Sequence, residues 1–157
     1  MAEQEEAQDF AAMLNAADDG WVRVMGLVLV RATRDEVIGE IEVGKQHLQA
    51  YGIVHGGVHA GIIESLSSIG AAINAMADGK TAVGLENSTS FLRAVRAGKL
   101  RAVARPLARG RRSHVWETSV HDEQGRLVAS GKVRLMILDP GAEVAGERVE
   151  MAAPKLA

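Results

Sequence analysis

Cysteine is absent from this chain, which excludes disulfides, a thiolate nucleophile and any cysteine-ligated metal. Aromatic residues make up only 3%, leaving few platforms on which nucleic-acid bases could stack. No apolar run approaches the length needed to span a bilayer. The first ten residues, MAEQEEAQDF, lack the basic start and apolar centre of a secretory signal, so a cytoplasmic location is expected. Acidic residues are missing altogether between Glu86 and Glu117, a span holding Arg93, Arg96, Lys99, Arg101, Arg105, Arg109, Arg111 and Arg112. In a chain of net charge −2 this basic sector points to an anionic partner, although each residue alone could simply belong to a solvated strand face. Between Lys45 and Asp78 the reverse holds. There the sole formal charge is Glu64.

At 157 residues and 47% hydrophobic composition, the chain has the size of one domain with a substantial core. Residues 7 to 17 are predicted to form a short helix with Phe10, Met13 and Leu14 on one face. VRVMGLVLV and EVIGEIEV read as two strands with a turn near Thr33 to Asp35. The long helix is predicted over residues 58 to 77. There Val58, Ile62, Leu66, Ile69, Ile73 and Met76 recur at intervals of three and four. TAVGLENSTSFLRAV, KLRAVARPL, HVWETSVHD and RLVASGKVRLMIL follow as strands joined by short turns. Connections this short imply an antiparallel sheet, and one long helix against it gives an α+β arrangement. Residues 1–138 are read as a single domain, with 139–157 as an irregular tail. The helix carries little polar surface on any side, so a second subunit is expected to cover the face that the sheet leaves open.

Glu64 lies about 200° around the helix from Ile62, away from the apolar stripe. Ser68 is one turn on, followed by Ala71, Ala72 and Ala75, a face of small residues that could approach a ligand closely. A carboxylate some seven residues into a helix is too deep to be a cap. Before the helix stand His55, Gly56 and Gly57, where glycine permits close approach to backbone N–H groups that could polarise a carbonyl. His55 and His59 have a metal-compatible spacing, but Glu64 falls off that face and no other histidine cluster supports it. No zinc is expected. A nucleophilic-serine elbow, a dinucleotide fingerprint and a Walker motif are all missing.

The run Gln49-Ala50-Tyr51-Gly52-Ile53-Val54-His55-Gly56-Gly57, with Glu64 and Ser68 after it, resembles the hotdog-fold acyl-CoA thioesterases. The likeness continues from AVGLENSTSFLR through RLVASGKVRLMIL and covers about residues 20 to 138. It is nearest to the branch of phenylacetate-pathway, 4-hydroxybenzoyl-CoA and proofreading aryl thioesterases. The resemblance implies a curved antiparallel sheet wrapped around one long central helix, in a homodimer and usually a homotetramer with active sites at subunit interfaces. It implies hydrolysis of an acyl-CoA to free acid and CoA, with no cofactor beyond the CoA of the substrate. Glu64 would act as nucleophile or general base, Gln49 and the Gly57 N–H would engage the thioester carbonyl, His55 would position that end, and Ser68 would place water. Gly56, Ser90 and Phe91, with Arg109, Gly110, Arg111 and Arg112, would contact substrate or CoA phosphates. Proofreading aryl relatives carry histidine at the position of Phe91, so a more apolar acyl end is expected here. The alternatives are a non-catalytic acyl-CoA sensor and an acyl-carrier-protein thioesterase. No nucleic-acid or membrane partner is expected.

Overall fold

The computed structural model describes residues 7–17 and 20–149. Its centre is helix α3, Gly56–Met76, lying across a six-stranded antiparallel sheet. The strands are β1 (Val28–Ala32), β2 (Val37–Glu42), β3 (Thr81–Phe91), β4 (Lys99–Arg109), β5 (Ser113–His121) and β6 (Leu127–Leu138). In space they run β1-β2-β4-β5-β6-β3, so β3 crosses to the far edge after the helix. Helix α3 therefore spans the sheet from β2 to β3 and touches every strand from β2 to β6. Among the described residues no helix is long and apolar enough to cross a membrane.

The helix buries Ile62, Ile63, Leu66, Ser67, Gly70, Ala71 and Ile73 against the sheet. The face is wider than the predicted stripe: Val58 and Ile69 are half-buried and Met76 is exposed. On the facing strand β5 the alternation is as expected. His114, Trp116, Thr118 and Val120 point inward, and Glu117 outward. Trp116 is fully buried over Gly70, where an added Cβ would lie 2.3 Å from the indole ring. Only glycine lets the ring pack directly on the helix backbone. Beside it, the hydroxyls of Ser67 and Thr118 share a buried hydrogen bond of 2.9 Å, so neither polar group is left unmet. Each fully buried Ile or Leu here contributes about 1.5–3 kcal/mol.

Three sequence expectations need correction. The first helix, α1, covers Ala11–Ala17; before it, Asp9 accepts from the backbone N–H groups of Ala11 and Ala32, tying the segment to β1. VRVMGLVLV is not one strand. Trp21–Val24 forms a single helical turn, α2, and Gly26, at φ 72°, turns the chain before β1. The left-handed turn breaks the strand run that the apolar residues suggest. In the tail, Glu143–Val144 (β7) and Glu147–Arg148 (β8) pair as a minimal hairpin, where an irregular segment is expected from the sequence.

Candidate active site

His55, not a glycine, caps α3: its Nδ1 accepts the Gly57 N–H at 2.8 Å. Gly56 and Gly57 thus belong to the first helical turn rather than to a loop before it, because the imidazole supplies the acceptor that this turn otherwise lacks. The Gly57 N–H, expected to be open to a carbonyl, is engaged by its own neighbour.

Two turns along, Glu64 is half-buried and accepts two hydrogen bonds, at 2.9 Å from Asn87 Nδ2 and at 3.3 Å from Ser68 Oγ. Asn87 lies on β3 and also donates to the Ala60 carbonyl at 3.1 Å. A carbonyl only accepts, so the Asn87 amide must turn its NH2 toward the helix. Thr89 Oγ1 completes the alignment by donating to Asn87 Oδ1 at 2.6 Å. No ion pair involves Glu64 among the described residues. The carboxylate is held by neutral donors, which orient it without neutralising its charge.

The strand is shaped around it. At Gly84 an added Cβ would stand 2.5 Å from Glu64 Oε1. Immediately after Gly84 the β3–β6 register slips, leaving Leu85 without a partner between the Gly84–Leu135 and Glu86–Arg134 pairs. A bulge twists a strand locally and re-aims its side chains, and here it sits where β3 meets the carboxylate. The expected all-small face is only partly realised, since Ala71 and Ala75 are buried in the core and only Glu64, Ser68 and Ala72 remain half-open. Asn87 was not singled out from the sequence. Its role depends on β3 running beside α3, and strand pairing supplies that.

Gln49 sits in a loop closed by the Leu48–Val54 bridge and by its own carbonyl, which accepts from Gly52 N–H at 2.8 Å. Arg96 clamps this loop by donating to the Tyr51 and Gly52 carbonyls at 3.0 and 3.1 Å. Gln49, Ile53, Gly56, His59, Phe91 and Arg93 line a cleft of about 220 Å³. Glu64 and Ser68 do not line it, and neither does Ser90, which is exposed on β3. One chain therefore presents the candidate residues in two groups. Gln49, Gly56 and Phe91 share the cleft, while Glu64, Ser68 and Asn87 stand together farther along α3.

Half of the basic sector is paired with acids within the fold. Lys99 and Arg101 pair with Glu40, Arg105 with Glu36, and Arg109 with Asp35 at 2.8 Å. Lys99, then Arg101, hold the Glu40 carboxyl below its ordinary range by hydrogen bonding. Strand β2, through Glu40, and the turn before it, through Asp35 and Glu36, thus supply the acids that β4 lacks, which the sequence spacing hides. Arg109 is further occupied by the Arg34 carbonyl and Asn74. Gly110 N–H donates to the Ser113 carbonyl at 2.9 Å, closing the turn. Arg111 and Arg112 are exposed in that turn and form no ion pair among the described residues.

With this geometry in place, comparison with known proteins gives a consistent result. A family model described as the thioesterase superfamily matches residues 51–129. The proofreading thioesterase EntH of Cronobacter sakazakii is 36% identical over 126 residues, covering 80% of this chain and 91% of that protein. A thioesterase structure from Haemophilus influenzae superposes with a TM-score of 0.77 at 28% identity, over 82% of this chain and 90% of the other. The E. coli PaaI protein from the phenylacetic acid degradation operon, at 19% identity, shares the fold. Its TM-score is 0.74, over 83% of this chain and 92% of that one.

Proposed function

This chain belongs to the thioesterase superfamily, in its PaaI-like hotdog branch, and from that premise we propose that it hydrolyses acyl-CoA thioesters through Glu64. The observation that carries the reading is the lone helix carboxylate, oriented by Asn87 and Ser68 against a strand with glycine at the point of contact. As nucleophile, a Glu64 oxygen attacks the thioester carbon, CoA leaves as its thiolate and takes a proton, and water hydrolyses the resulting anhydride. As general base, Glu64 removes a proton from water, whose hydroxide attacks the same carbon; the C–S bond then breaks and the CoA thiolate leaves, taking the proton that Glu64 holds. In either route Ser68 steadies the carboxylate or the water.

The thioester oxygen replaces His55 Nδ1 at the Gly57 N–H, and the Gln49 amide supplies a second donor. Negative charge developing on that oxygen is favoured at the start of a 21-residue helix. Arg111 and Arg112, exposed in one turn and without an ion pair among the described residues, are the cations assigned to CoA phosphates. Arg109, committed to Asp35, holds the turn in place.

Because Glu64 lies outside the cleft of Gln49, a complete site needs the carboxylate of one subunit and the cleft of another. Strand β3 offers the surface for this: an 11-residue sheet edge with unpaired backbone groups and exposed Leu85, Phe91 and Leu92. Such an edge invites a second strand. We therefore read the protein as a homodimer, assembling further into a tetramer.

A panel of acyl-CoAs with a free-thiol readout tests the reading. Glu64→Ala is expected to lose about 100-fold or more in turnover while folding and CoA binding persist. Turnover equal to wild type would end the catalytic role. A variant and wild type that both bind acyl-CoA without turnover would identify a sensor instead.

A further inference from the structure

The two edges of the sheet are finished differently. Along β3 the outer backbone groups find no partner among the described residues. Along β1 they are met from α1 and the segment before it. Leu29 N–H donates to Asn15 Oδ1 at 2.9 Å, and Asn15 Nδ2 donates to the Leu29 carbonyl at 2.8 Å. A side-chain amide carries the same donor and acceptor as a peptide group, so Asn15 stands where the backbone of a neighbouring strand would. At Ala32 the N–H donates to Asp9 Oδ1 at 2.9 Å, and the carbonyl accepts from Phe10 N–H at 2.8 Å. Between these two residues the β1–β2 register slips, and a bulge blunts the edge further.

The segment is anchored for this task. Ala11 is buried in the core, and Phe10 and Leu14 pack against it. What it covers is an apolar edge. The strand is VLVRA, with Arg31 its one charge, and Val28 and Val30 are 56% and 47% exposed. Trp21 and Val24, just before it, are more exposed still. An edge of this composition, left open, is a template for strand addition.

Symmetry shows what the closure achieves. Pairing of β3 with the β3 of a second copy about a two-fold axis uses the same edge on both chains, so it ends at two. A pair formed in this way would still carry two β1 edges, one at each end of the joined sheet. With those open, β1 would pair with the β1 of the next pair, and growth would have no end.

We infer that the β1 edge is a docking surface for the β1 strand of a second copy of this chain, held shut by Asp9, Phe10 and Asn15 so that copies join without polymerising. The inference rests on the β3 pairing read above and is independent of the chemistry at Glu64.

The test opens the edge in the full-length chain. Asn15→Pro removes the amide and breaks the seven-residue α1. Asn15→Leu combined with Asp9→Ala removes the side-chain bonds alone and serves if the proline variant does not fold by circular dichroism. Mass is measured by light scattering over a roughly hundredfold range of concentration, and wild type should keep one mass throughout. In the opened chain the Leu29 and Ala32 amides, followed at the dilute end, should exchange about tenfold faster or more. Its mass should rise about twofold or more toward the concentrated end. Adding Val28→Lys and Val30→Lys to the opened chain should restore the wild-type mass, because charges on an edge strand block pairing. Amides that open without any growth in mass overturn the proposal, as do amides that stay protected in every folded variant. Growth that the lysines leave unchanged also overturns it, since that is general aggregation. A monomeric wild type would end the β3 reading alone, and growth or its absence in the opened chain would still decide for β1.

Discussion

Replacing Gly84 by alanine adds one methyl group to an exposed strand residue whose backbone is outside the left-handed region. The added Cβ would lie 2.5 Å from Glu64 Oε1, against the 3.4 Å at which ordinary contact begins. The carboxylate must therefore retreat by about 0.9 Å, a misplacement on the scale that costs about 100-fold in a positioned reaction. Only the far end of a flexible side chain is in the way, so the fold should hardly notice. An exposed strand position also favours alanine slightly over glycine, and stability should stay within about 0.5 kcal/mol of wild type. Retreat also loosens the 3.3 Å bond from Ser68 to the same oxygen. The assay pairs free-thiol release with urea denaturation on one protein preparation. The expected outcome is a kcat lower by about 10- to 100-fold with an unchanged denaturation midpoint. Wild-type kcat in Gly84→Ala would refute the assignment of Glu64 in this geometry, and a collapsed midpoint would refute the claim that the glycine serves the site rather than the sheet.

Gly70→Ala should behave in the opposite way. Its Cβ meets a rigid buried indole at 2.3 Å, so a loss of about 1–3 kcal/mol is expected in the urea midpoint, with altered Trp116 fluorescence. The phosphate assignment predicts that Arg111→Ala with Arg112→Ala raises KM for acyl-CoA and flattens its salt dependence. Arg109→Ala should instead lower stability, through the loss of its Asp35 and Asn74 contacts. Stability should decline as pH falls below about 6.5, because burial lowers the pKa of His59, and burial with the nearby Arg109 charge lowers that of His114. Between the depressed folded values and the unfolded value the unfolded chain binds more protons, so stability rises with pH there. Urea midpoints across pH 5–8 should show this slope, reduced in His114→Leu.

The long helix and the four later strands were legible because their signals are local. A three-and-four spacing needs one apolar face, and the alternation in HVWETSVH needs one buried sheet face; both survived folding. The turn at Trp21–Val24 was not legible, since its apolar residues fit a strand until Gly26 at φ 72° reverses the chain. The basic sector shows the same limit on charge. Its partners Asp35, Glu36 and Glu40 lie more than fifty positions earlier, and only the β2–β4 register brings them opposite Lys99, Arg101 and Arg105.

The sequence by itself determined the α+β arrangement, the isolation of Glu64 on its helix, and the likeness of the run from Gln49 through Ser68 to a thioesterase family. These depend on periodicity, composition and short-range spacing, which survive without knowledge of contacts. Tertiary structure alone decided how the carboxylate is held, through Asn87 and Gly84 on a strand that crosses to the far edge of the sheet. It also decided that Gly57 is engaged by His55, that Arg101, Arg105 and Arg109 are already paired with acids, and that His59 Nδ1 is buried without a partner. Each of these is a contact between groups whose separation in space is set by packing rather than by their distance along the chain.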